Sequence, residues 1–152
     1  MKSLKHLISI LFCSLSLVSL TYAAPGMAVD SELSWMAMEA KTAIQQIDHQ
    51  YFLKYVAEEG VVVKGDAYSK EKIADLLNDH QSALYQYLFS GKNSIKHFFD
   101  TTPNPDVKII KRAANSILFS YSSKQSNEPD SIENCYIKIG NTWYLDGIFS
   151  CE

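Results

Sequence analysis

An α+β fold, with N-terminal helices packed on a curved antiparallel C-terminal sheet, follows from three features of the sequence. Apolar residues recur at three- and four-residue steps between positions 33 and 88, the spacing of one helical face. After Thr101-Thr102-Pro103-Asn104-Pro105-Asp106, where two prolines break the chain, the period shortens to the alternation of strands. The 152 residues are 47% hydrophobic and 12% aromatic, which supplies one core and leaves too little chain for a second. The same composition excludes a disordered chain, and six Gly, four Pro and three Cys exclude a collagen-like repeat or a disulfide-dense scaffold.

Each element has a local reason. Asp30 and Ser31 offer side-chain oxygens as caps for a first helix whose stripe is Leu33, Met36, Ala40, Ile44, Ile47 and Tyr51. Asp48 caps a short second helix carrying Phe52, Leu53, Tyr55 and Val56, and Gly60 ends it. Val61-Val62-Val63 is a β-branched run too short for a helix, closed by Gly65-Asp66, and reads as a strand. Ser69 caps a helix over 69–90, with Glu71 in its first turn and Ile73, Leu76, Leu77, His80, Leu84 and Leu88 on one face; Gly91 stops it. Residues 94–100 form one more helical turn or a short edge strand. Extended runs over 107–111, 116–122, 135–139 and 142–149 then make an antiparallel meander, with a hairpin turn at Gly140-Asn141 and a polar loop over 123–130.

Residues 1–23 read as a secretory signal peptide: Lys2 and Lys5, an apolar and serine-rich run over 7–20, and the exit Thr21-Tyr22-Ala23, with cleavage after Ala23. The run is broken by Ser14, Ser16 and Ser19 and falls short of the ~20 apolar residues of a membrane span. Bulky Phe12 before Cys13 argues against a lipoprotein. Residues 24–30 are then a flexible N-terminal segment and 31–152 a single domain, located in a bacterial periplasm or secreted. Cleavage removes two lysines and no acid, so the net charge of −3 becomes more negative. No basic run is denser than 108–112, so nucleic acid is not an expected partner, and no membrane span is expected after cleavage.

Export leaves Cys135 and Cys151 in an oxidising compartment, where a disulfide is the default expectation. A two-residue turn at Gly140-Asn141 sets position 135 opposite Asp146, and alternation puts the two cysteines on opposite faces. A bond needs Cα atoms within ~7 Å, so the tail must bulge or curl back, at Gly147 for example, or another loop must set the register. Separate thiols or an intermolecular link are the alternatives.

The sequence carries no GxSxG, HExxH, phosphate-binding glycine loop, dinucleotide fingerprint or CxxC pair. Asp48, Asp66 and Asp100 are the acids available as a base, but Asp48 is more simply a cap and Asp66 a turn residue. His80, between Leu76 and Leu84, should point inward. A pocket imidazole moves protons near neutral pH, although a core histidine bonded to a carbonyl or a Tyr fits the same pattern better. His49, His97 and Asp100 lack a recognised zinc spacing, and neither a metal nor a cofactor is expected.

Nine tyrosines point to a pocket or interface with apolar walls and hydrogen-bonding edges. On the last hairpin, Tyr136, Trp143, Leu145 and Phe149 share one face, while Cys135, Ile137, Tyr144 and Ile148 share the other. Both faces are apolar, so the second also needs cover from a partner, a second subunit or the helical segment at 84–100.

Ala43-Ile44-Gln45-Gln46-Ile47-Asp48, then Phe52, Val56 and Gly60-Val61-Val62-Val63, look like two helices running into a first strand. Ser116-Ile117-Leu118-Phe119-Ser120-Tyr121 and Tyr136-Ile137-Lys138-Ile139-Gly140-Asn141-Thr142-Trp143-Tyr144-Leu145 look like long closing strands. In this order the pieces resemble the nuclear transport factor 2-like (SnoaL-type) superfamily; the helix over 69–90 is about twice as long as its counterpart there, and cystatin-like folds share the pattern. The resemblance implies a cone with an apolar pocket between sheet and helices, and a role as isomerase, cyclase, dehydratase, hydrolase or binding module. It places Tyr55, His80, Leu84, Tyr121, Tyr136 and Trp143 around that pocket, with His80, Asp66 and Tyr68 as candidate catalytic groups. The preferred reading is an exported, non-catalytic module that binds a small hydrophobic ligand or a protein partner, with a homodimer through the sheet as one form. An inhibitor or immunity-type protein against a secreted toxin or hydrolase, and an enzyme of the isomerase, dehydratase or hydrolase kind, are the alternatives.

Overall fold

The computed structural model describes residues 25–123 and 131–151. The proposed signal peptide, and positions 124–130 of the polar loop, lie outside the described residues.

α1 (Pro25–Gln46) opens on proline, whose fixed φ suits a first helical position. It therefore takes in residues 25–30, where the sequence suggests a flexible segment. Leu33, Met36, Ala37, Ala40, Ala43 and Ile44 are its buried stripe. The stripe does not continue through Ile47. That residue sits at φ 55°, exposed, while its N–H donates to Ile44 O (3.2 Å) and the N–H of Asp48 donates to Ala43 O (2.8 Å). These two bonds close the helix in the manner usually built around glycine. Asp48 then caps α2 (His49–Tyr55), accepting from the N–H groups of Gln50 and Tyr51, and Tyr51 and Phe52 are buried.

β1 (Val61–Val63) turns through Lys64 and Gly65, both at positive φ, into β2 (Asp66–Tyr68), so Gly65-Asp66 continues the sheet instead of closing it. The single helix expected over 69–90 is two helices: α3 (Lys70–Asn78), capped by Ser69, and α4 (Ala83–Phe89), capped by Ser82. Asp79 Oδ1 accepts from Gln81 N (2.9 Å), and Ser82 Oγ accepts from Tyr85 N (3.0 Å) while donating to Leu76 O. These local side-chain bonds outcompete helix continuation, although the leucines keep helical spacing across the break. Residues 94–100 resolve as helix: α5 (Ile95–Thr101), capped by Ser94.

β3 (Asp106–Ala113), β4 (Ser116–Ser122), β5 (Ser131–Ile139) and β6 (Thr142–Gly147) form the antiparallel meander. The whole sheet has the order β2-β1-β6-β5-β4-β3 and is mixed, because β1 joins β6 in parallel at Val62 and Gly147. A purely antiparallel sheet is therefore corrected. A three-residue strand beside the last strand of the chain leaves no local signal of its pairing. No described helix is long and apolar enough to cross a membrane.

The core lies between the helices and one face of the sheet. Phe52, Phe99, Phe119, Tyr121, Tyr136 and Phe149 meet there, with ring centroids 5.1 Å apart for Phe99–Tyr121 and 5.3 Å for Phe119–Tyr136.

Candidate functional site

The inner face carries a buried polar chain rather than isolated hydroxyls. Asn134 Nδ2 donates to Tyr136 Oη (3.0 Å), and the hydroxyls of Tyr136 and Tyr51 bond to each other. Asn134 Oδ1 accepts from Phe149 N (3.2 Å), which ties the C-terminal tail to β5. Tyr121 donates to Ala37 O (3.0 Å), joining sheet to α1. Burial holds the Tyr51, Tyr121 and Tyr136 phenols well above their ordinary range, because a phenolate there would lose its hydration. Tyr121 and Tyr136, expected as pocket walls, are thus fully buried in the core.

The remaining expected pocket residues separate onto different surfaces. His80 does not point inward. The helix break places it in an exposed turn, where its ring stacks on Tyr85 (4.3 Å) and its carbonyl accepts from Gln86. Asp66, Tyr68 and Leu84 do come together, around a cavity of about 150 Å³. Lys64 Nζ lies 3.8 Å from the Tyr87 ring centre beside it. Tyr68 O–H reaches Asp66 Oδ2 at 3.5 Å. Among the described residues, no three of His, Cys, Asp and Glu gather as metal ligands, so His49, His97 and Asp100 do not form a centre.

Tyr55 and Trp143 meet at a second cavity, about 290 Å³, with Trp35, Glu32, Glu39 and Lys54. Tyr55 O–H donates to Glu39 Oε2 (2.8 Å), and Lys54 Nζ stands 3.4 Å from Glu39 Oε1. The neighbouring Tyr55 hydroxyl, aided by the Glu39 charge, raises the lysine pKa; partial burial, then the Glu39 carboxylate, raises that of Tyr55. Trp143 Nε1 is buried without a hydrogen-bond partner among the described residues.

The outer face of the sheet follows from the register. Ile137 pairs with Tyr144, Ile139 with Thr142, Cys135 with Leu118, and Leu118 with Ile110; the buried rings fall on the opposite face. Val62 of β1 shares this outer side. Val62, Ile110 and Ile139 are 43%, 45% and 55% exposed, and Ile137 and Tyr144 are half-buried. A depression of about 300 Å³ lies among Val62, Ala67, Ile137, Ile139 and Tyr144.

Cys135 also faces outward and is bonded to Cys151, with Cα atoms 5.6 Å apart. Of the routes the sequence leaves open, the bond forms by a bulge together with a tail that curls back. Asp146 is the extra residue of β6, so that Cys135 pairs with Gly147, and Phe149 at φ 50° turns the tail back. Comparison with family models, curated proteins and solved structures finds no match.

Sequence reasoning missed Trp35 and Glu39, which frame the cavity at Tyr55 and Trp143. The available signal was Trp35 lying two residues past Leu33 and one before Met36, off the buried stripe of α1.

Proposed function

We propose that the chain is an exported, non-catalytic binding module of the nuclear transport factor 2-like type, acting through the outer face of its sheet on a second copy of itself. The observation that carries this reading is the open apolar surface of Val62, Ile110, Ile137, Ile139 and Tyr144. A sheet apolar on both faces is normally covered on both. The segment at 84–100, one candidate cover, contributes Leu88, Phe89, Ile95 and Phe99 to the inner core instead. Helices set against one face of the sheet support the family reading. The disulfide supports an oxidising, exported location.

Charge favours a second copy as the occupant. Lys108 and Arg112 lie on the outer face of β3 with Asp106, Glu133 is in line with Lys108 across Ser120, and Arg112 Nη1 is 3.7 Å from Cys135 Sγ. Glu59 and Asp146 line the depression on the β1–β6 side. A two-fold axis through the face can set Arg112 of one copy against Asp146 of the other, twice. The enzyme alternative would work from Asp66 and Tyr68 at a cavity of about 150 Å³, below the usual small-molecule site of roughly 300–1,000 Å³.

Sedimentation velocity tests this. The wild type should dimerise, Ile139→Glu and Arg112→Glu should be folded monomers, and adding Asp146→Arg to Arg112→Glu should restore the dimer. A wild type that stays monomeric at its highest soluble concentration, or a dimer indifferent to these changes, overturns the proposal. An inhibitor or immunity-type role would instead show as a one-to-one complex with a foreign protein on this face.

A further inference from the structure

The cavity at Tyr55 and Trp143 does not end at the Glu39–Lys54 ion pair. Those two residues also line a larger cleft of about 620 Å³ between α1 and α2, so the two spaces flank one ion pair along a single groove. We propose that this groove binds a neutral oligosaccharide, with Trp35 as the platform for one sugar ring.

The chemistry of the lining selects the ligand class. Trp35 is 65% exposed at the rim, a large flat apolar surface that the fold itself does not use. The rings deeper in are already attended by cations: Lys54 Nζ is 4.7 Å from the Tyr55 centroid, and Lys138 Nζ is 5.4 Å from that of Trp143. A cationic ligand would compete with both lysines for those rings. An anionic ligand would meet Glu32 and Glu39 at the Trp35 end. The lining itself sets Glu32, Glu39 and Asp48 against Lys54 and Lys70, one acid in excess, with Lys138 near the Trp143 ring, so a ligand of either charge meets its own sign there.

A purely apolar ligand is disfavoured for a different reason. The walls present the amides of Gln46, Gln50 and Asn141 and the hydroxyls of Thr42 and Thr142. Burying these against hydrocarbon would cost their hydration without return. What remains is an uncharged molecule with flat C–H faces and an edge of hydroxyls, which is a pyranose. Two spaces on either side of one ion pair suit linked rings better than one compact molecule. A proline-rich peptide, the other neutral ligand that uses tryptophan and tyrosine, needs an aromatic-lined channel. Here the exposed aromatic Trp35 clusters with Tyr55 and Trp143 at one end, and the other end joins Ala43, Leu53 and aliphatic stems to amide and charged tips.

The test is titration of the full mature chain, followed by tryptophan fluorescence and calorimetry, with linear tetrasaccharides of glucose (α- and β-linked) and of N-acetylglucosamine. At least one should bind and quench the exposed indole. Trp35→Ala should weaken that binding by at least about tenfold, with unchanged thermal melting because the side chain is mostly outside the core. Gln46→Ala, at the polar end, should weaken it several-fold. The proposal is overturned if none of the tetrasaccharides binds, if Trp35→Ala binds them equally well, or if a proline-rich peptide takes the groove in their place. Arg112, on β3, lines neither space, so the monomeric Arg112→Glu variant should leave the titration unchanged and the two proposals fail separately.

Discussion

Replacing Asn134 by Ala tests whether the buried polar chain is what fixes the C-terminal tail. Asn134 is fully buried, and its carboxamide serves two partners, accepting from Phe149 N and donating to Tyr136 Oη. Truncation strands the Phe149 N–H in a residue that is itself buried, a loss of about 1–3 kcal/mol. The lost bond to Tyr136 adds about 1 kcal/mol. The expected total is about 3 kcal/mol, or a melting temperature lower by roughly 10 °C for a domain of this size. Tyr136→Phe should cost about 1–2 kcal/mol, because Tyr51 and Asn134 each lose a partner. The two changes remove one shared bond, so the double variant should fall short of additivity by about 1 kcal/mol. Urea denaturation of the four proteins measures all of this, with exposed Asn93→Ala as a control expected within about 0.5 kcal/mol of wild type. A loss below about 1 kcal/mol for Asn134→Ala, or strict additivity, would refute the reasoning.

The disulfide spans a sequence separation of 16, for which loop closure is worth about 3 kcal/mol. The Cys135→Ser/Cys151→Ser variant should lose that much in urea yet keep a native circular dichroism spectrum, since Phe149 still packs among Phe52, Phe99 and Tyr121; complete unfolding at 25 °C contradicts this. The buried tyrosines predict alkaline instability. Their folded pKa values lie above the ordinary 10.0, so the folded chain keeps protons that the unfolded chain releases. Their contribution is whole below pH 10 and is lost as pH climbs beyond it. Tyrosinate absorbance for these three residues should therefore appear together with loss of structure, and ionisation near pH 10 in an intact fold would contradict the assignment.

Caps and turns were legible because they are local chemistry. Asp48 and Ser69 cap the helices their positions suggest, and Gly140-Asn141 turns the last hairpin, whereas Asp30 and Ser31, expected as caps, fall inside α1. The break at 79–82 was hidden because Leu77, Leu84 and Leu88 stay at helical intervals across it. Only the pairing of Asp79 with Ser82 as successive stop and start marks it. That break moved His80 from the expected pocket to solvent, and with it the candidate catalytic centre. The burial of Tyr121 and Tyr136 was not legible either. Alternation places a tyrosine on a face, but whether that face lines a hollow or meets aromatic side chains from α2 and α5 depends on packing across the core.

The bulge in β6 connects the fold to the proposed docking face. Strict alternation after the Gly140-Asn141 turn would have put Cys151 on the side opposite Cys135. By leaving Asp146 out of the ladder, the strand instead pairs Gly147 with Cys135. The position requires glycine for steric reasons: a Cβ there would lie 2.0 Å from the Ser150 carbonyl oxygen as the tail turns back. The same displaced Asp146 stands exposed beside the apolar depression, where with Glu59 it supplies an acidic rim. One irregularity thus closes the disulfide and anchors Phe149 in the core. A regular β6 would keep Asp146 opposite Cys135 on the outer face but would carry Cys151 to the inner side, out of reach of its partner.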